Sequence, residues 1–139
     1  MNLVRHFLIT FVMTIIFFVL TQNFSPVNFW IIMLASLAID IDHLFYDLPE
    51  KRNSVINILK YWWQMADEYK ARFYLFHTID TLVIVFLLYA YVDKVFFYIF
   101  LGFFFHIMQD SITNTRATKS LKWLKNYSIF TYVIGKKGE

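Results

Sequence analysis

The chain has 139 residues, 59% of them hydrophobic and 22% aromatic, with a formal net charge of +3 and a mean hydropathy of +0.52. Its apolar residues come in long blocks rather than in the interrupted pattern of a soluble domain, so a membrane protein is expected. The absence of cysteine excludes a disulfide framework and thiolate metal ligands, and three glycines and two prolines leave no flexible linker.

A hydrocarbon core of about 30 Å takes about 20 mostly apolar helical residues to cross. Four blocks meet that length, Leu3–Thr21, Pro26–Tyr46, Arg72–Tyr91 and Lys94–Thr113. They predict an all-α fold, a four-helix transmembrane bundle over residues 1–113, with 114–139 as a basic cytoplasmic tail. The first block is read as a membrane helix rather than a signal peptide, because Leu20–Phe24 lacks a small-residue cleavage pattern. Gln22–Pro26 is a short polar turn with Pro26 suited to the first helical position. Val92–Lys94 is barely a turn, so the last two helices form a hairpin.

All of the 13 lysines and arginines except Lys94 fall at the N-terminal end, in the middle loop or in the tail. The positive-inside rule then places both termini and the middle loop in the cytoplasm. Within that loop, Val55, Ile58, Leu59, Trp62, Ala66 and Tyr69 follow helical spacing. An amphipathic helix over about 53–71 is expected, lying on the lipid surface or packed over the bundle end. The tail interleaves Lys119, Lys122 and Lys125 with Leu121, Trp123 and Leu124. Beside a membrane such a tract favours anionic lipid over nucleic acid.

The four histidines fall one to each predicted helix: His6, His43, His77 and His106. At a rise of 1.5 Å per residue, each lies about 5–10 Å inside the cytoplasmic end of its helix. They form one layer. Asp80 follows His77 by three residues, Asp110 follows His106 by four, and Asp40 precedes His43 by three, so each pair shares a helix face. Asp42 falls nearly opposite Asp40 on a regular helix. Either the helix loosens there, or the two serve different partners. Each central charge in a membrane helix costs about 2.5–3.5 kcal/mol, and clustered carboxylates repel. A divalent cation removes both costs, and imidazole with carboxylate suits zinc, manganese or iron. The alternative is a metal-free network of hydrogen bonds between helices.

These residues resemble a known family, the small multi-pass membrane-bound metal-dependent hydrolases. Its pattern has an early histidine, a D-x-D-H, a histidine followed by a small hydroxyl residue, and a G-x-x-x-H-x-x-x-D. The chain presents His6, then Asp40-Ile41-Asp42-His43, then His77-Thr78, then Gly102 with His106 and Asp110, over roughly residues 1–113. It lacks the further histidine and glycine of an H-R-G-x-x-H-S element, having Arg72-Phe73-Tyr74-Leu75-Phe76-His77-Thr78 instead. The resemblance implies a metal-dependent hydrolase. With it, the expected ligands are His6, Asp40, Asp42, His43, His77, His106 and Asp110, holding a divalent metal, zinc first.

Asp42, Asp80 and Asp110 are the candidate catalytic acids or bases, and Lys70, Arg72 and Arg116 could pair with a substrate phosphate. The depth of the layer suggests a lipid phosphoester or similar ester as substrate. A second reading is a metal-stabilised scaffold or sensor that docks a cytoplasmic protein. A third, an ion or proton pathway, fits less well, because the outer halves of the helices offer no ionisable relay. No G-x-S-x-G motif competes.

Overall fold

The computed structural model describes residues 3–42, 74–119 and 127–129. Among these the protein is all-helical and without strands, with α1 (Leu3–Thr21), α2 (Pro26–Ala38), α3 (Ile79–Tyr91) and α4 (Val95–Thr118). The middle loop with its expected helix at about 53–71, and His43, Lys70 and Arg72, lie outside the described residues.

Each boundary has a local cause. Beyond α1 the backbone turns left-handed at Gln22 (φ 53°), and the Ser25 hydroxyl then caps α2 by accepting from the Asn28 N–H. Pro26 stands at the start of α2, where its missing N–H is not needed. Asp93 Oδ1 accepts from the Val95 N–H at 2.7 Å and closes the short turn between α3 and α4.

Two helices differ in length from expectation. α3 starts at Ile79 rather than Arg72, because Thr78 adopts an extended conformation and its hydroxyl accepts from the Thr81 N–H. The regular part of α2 ends at Ala38, where the chain tightens into a turn through Ile39 and Asp40. Both helices therefore have 13 residues, about 20 Å, whereas Val4–Thr21 and Val95–Arg116 are long and apolar enough to cross a membrane. α4 also runs past Thr113 to Thr118, so Arg116 belongs to its last turn.

α4 is the central element and packs on α1, α2 and α3, most extensively on α2. Phe18, Phe29, Ile32, Met33, Leu101 and Phe105 form the core of the α1–α2–α4 contact. The polarity of the helices is reversed relative to a soluble protein. Leu8, Val12, Ile16 and Val19 of α1, Trp30 and Leu34 of α2, and Val83, Ile84 and Leu87 of α3 are exposed. Thr10, Thr14, Ser36 and Gln109 are buried instead.

A short C-terminal stretch docks on this framework. Tyr127 is buried against Ile39 and Ile107, with its hydroxyl accepting from Asn114 Nδ2 at 3.1 Å. The Ile129 N–H donates to Asp80 Oδ2 at 2.8 Å. A Tyr127→Phe protein keeps the packing and loses the bond from Asn114. It should lose about 1 kcal/mol, read as a lowered thermal midpoint in detergent.

Candidate metal centre

Among the described residues, five ionisable side chains meet where α1 and α3 begin and α2 and α4 end. His6 comes from the first turn of α1 and His106 and Asp110 from α4. Asp40 comes from the tightened turn after α2, and His77 from the turn that precedes α3. The two turns bring their side chains inward in ways a continuous helix does not. The Asp40 N–H bonds to Leu37 O, and the His77 N–H to Tyr74 O.

The tautomers of the two central histidines follow from their partners. His106 Nδ1 lies 2.7 Å from Ser36 O, and a carbonyl only accepts, so Nδ1 carries the proton. His77 Nδ1 lies 3.2 Å from Asp42 Oδ2, which also accepts from the Phe76 N–H at 2.9 Å. In the neutral rings both Nε2 atoms are then acceptors, and they stand 3.3 Å apart. Two neutral rings so placed oppose lone pair to lone pair, which a proton on one Nε2 or a cation bound by both relieves.

One oxygen each of Asp40 and Asp110 approaches both of these nitrogens. Asp40 Oδ1 is 3.4 Å from His77 Nε2 and 3.3 Å from His106 Nε2. Asp110 Oδ2 is 3.5 Å and 3.4 Å from the same two atoms. Ligand atoms around a tetrahedral ion at about 2.0–2.1 Å stand about 3.3–3.4 Å from one another. The two triangles built on the His77–His106 pair have that edge length. Imidazole nitrogens held by N–H donation to a carbonyl and to a carboxylate are the usual outer support of metal ligands. Asp40, His77 and His106 form one group that could hold a metal ion, and His6, His106 and Asp110 form another. The donor set fits a divalent cation.

The centre is shielded unevenly. The side chains of His106 and His77 are 1% and 5% exposed, those of Asp40 and Asp110 18% and 17%. His6 stacks flat on His106, with centroids 4.2 Å apart, and its Nε2 lies 3.1 Å from Asp110 Oδ1. Asp110 thus turns one oxygen to His6 and the other to the central pair.

The remaining sequence candidates fall elsewhere. Asp42 stands behind His77 Nδ1 rather than with the converging atoms. Asp80 does not share a helical face with His77, because His77 precedes the helix; its carboxylate holds Ile129. Arg116 is exposed near the end of α4. Sequence reasoning missed Ser36, whose carbonyl faces His106 Nδ1, and Thr10 and Gln109, which bond beside it. A signal existed: each lies about one helical turn from Asp40, His6 or His106.

Replacing Asp42 with asparagine leaves the His77 contact uncharged. Asp42→Asn should weaken metal binding by roughly 10–100-fold, measured by competition with a chelator. Comparison with protein-family models, with characterised proteins and with solved structures finds no match.

Proposed function

We propose that the chain is a multi-pass membrane protein whose His/Asp centre binds a divalent metal, zinc foremost, and hydrolyses a lipid phosphoester or similar amphiphilic ester at the cytoplasmic leaflet. The observation that carries the reading is the convergence of four acceptor atoms, His77 Nε2, His106 Nε2, Asp40 Oδ1 and Asp110 Oδ2, with both Nδ1 protons already committed.

The outward apolar and inward polar surfaces support the membrane setting. Although α2 and α3 are short, irregular backbone at membrane depth is tolerated where protein surrounds it, as around Asp40 and His77. All four helices then cross, with the Gln22 and Asp93 turns outside. Cysteines placed at Gln22 and Asp93 should be labelled from outside, and a cysteine at Lys119 only from inside. Labelling of Lys119→Cys from outside ends the four-span topology.

His77, His106, Asp40 and Asp110 would hold the metal, and Asp42 keeps His77 in its ligand tautomer. The metal's contribution is a more acidic bound water and a polarised ester oxygen. The part-exposed carboxylates Asp40 and Asp110 would flank the approach to the ion. Asp80 and Asp42 are tied to Ile129 and to Phe76 and His77. Arg116, with Lys70 and Arg72, supplies positive charge for a substrate phosphate.

A purely structural metal would sit in a closed shell, and the exposure of the two aspartates speaks for an open one. The test is a screen of lipid and phosphoester substrates with zinc-reconstituted protein. Turnover should be lost in Asp110→Asn while the protein stays folded. A parent without turnover, in which metal loss and melting coincide, would favour the scaffold.

A further inference from the structure

Behind the centre lies a second tier of buried polar groups. The Thr10 hydroxyl is 2.9 Å from the Ser36 hydroxyl, and Gln109 Nε2 donates to Thr10 Oγ1 at 2.9 Å. The Thr14 hydroxyl donates to Thr10 O at 2.7 Å, one turn further along α1. Thr10, Ser36 and Gln109 come from α1, α2 and α4, so one hydroxyl links three helices. All are buried, and Gln109 Oε1 has no hydrogen-bond partner among the described residues. A buried unsatisfied acceptor costs about 1–3 kcal/mol. Packing alone would be better served by an apolar side chain at this position.

The spacing says what the tier is for. Thr10 is one turn from His6 and Gln109 one turn from His106, while Ser36 stands in the last turn of α2, just before the turn that carries Asp40. Ser36 also lends its carbonyl to His106 Nδ1 at 2.7 Å. Helices that slide against one another by a fraction of a turn would separate the converging atoms above. A directional bond from each helix to a common point opposes that slide, which smooth apolar packing does not.

We infer that the Thr10–Ser36–Gln109 tier positions the metal centre: it locks the register of α1, α2 and α4 and holds the Ser36 carbonyl on His106. This rests on the metal reading proposed above. These are positioning residues, acting through His106, Asp40 and His6.

Cobalt(II) binding to the full-length protein in detergent tests it, since affinity and ligand-field spectrum both report geometry. Thr10→Val removes the hydroxyl at nearly constant volume, and Ser36→Ala removes its partner while leaving the backbone carbonyl. Each should weaken cobalt binding by about 10-fold or more and alter the visible spectrum. Thr10→Ser, which restores the hydroxyl, should recover both. Should Thr10→Val fail to fold, Ser36→Ala decides. Wild-type affinity and spectrum in the folded variants would overturn the inference while leaving the metal reading intact. So would a loss in Thr10→Val that Thr10→Ser does not repair. A wild-type protein that takes up no cobalt overturns the metal reading, and this inference falls with it.

Discussion

A Gly102→Val protein is expected to lose its assembled fold, and Gly102→Ala to be destabilised by about 1–3 kcal/mol. At Gly102 a Cβ would stand 2.5 Å from Ile32 O, 2.8 Å from Ala35 Cβ and 3.0 Å from Ser36 N. Two of these neighbours are backbone of α2, which cannot rotate aside, so α2 and α4 must part. Alanine gains about 1 kcal/mol of helix propensity over glycine, and the backbone clash outweighs it. The consequence reaches the centre directly. His106 lies one turn beyond Gly102, and its bond to Ser36 O spans the contact that has to open. Metal uptake should therefore fall even in the alanine variant. Thermal unfolding in detergent, followed by elemental analysis, checks both, and an unchanged midpoint in Gly102→Ala would contradict the close approach.

Removal of His106 should have the other large effect. His106→Ala deletes one of the two buried imidazoles and leaves Asp40 and Asp110 without the nitrogen that both approach. It also strips the buried Ser36 carbonyl of its donor and removes the ring on which His6 stacks. The cavity left by the buried ring and the orphaned carbonyl together cost about 3–5 kcal/mol. Metal content after dialysis should drop to background. His106→Gln, which keeps polarity without an imidazole, should be less destabilised yet equally poor in metal. Retention of stoichiometric metal by either variant would remove His106 from the ligand set.

The helices and the gathering of His6, His77 and His106 were legible because long apolar blocks and the isolated ionisable residues within them are strong sequence signals. The four starts and ends at Leu3, Thr21, Pro26 and Tyr91 follow the edges of those blocks. What the blocks concealed were the two turns. Tyr74–Thr78 reads as continuous with an apolar helix, but Thr78 and Thr81 bond back to Leu75 O and cap α3 late. The same miss misplaced Asp80, since helical spacing from His77 has no meaning across a turn. At Asp40 and Asp42 the second expected outcome occurs: one aspartate faces the histidine cluster while the other backs His77, but the helix tightens into a turn where loosening was expected. Ser36, Thr10 and Gln109 were passed over because uncharged polar residues are common in membrane helices. Only their distance of about one turn from Asp40, His6 and His106 sets them apart.

The central claim is that the convergence of His77, His106, Asp40 and Asp110 is a metal site and not a lattice of hydrogen bonds. X-ray absorption on the zinc-reconstituted full-length protein addresses it directly. The account predicts one tightly held ion coordinated by imidazole nitrogen and carboxylate oxygen at about 2.0–2.1 Å, absent from a His77→Ala, His106→Ala protein. Failure to retain zinc, manganese or iron at neutral pH, or equal retention by that double variant, would contradict it.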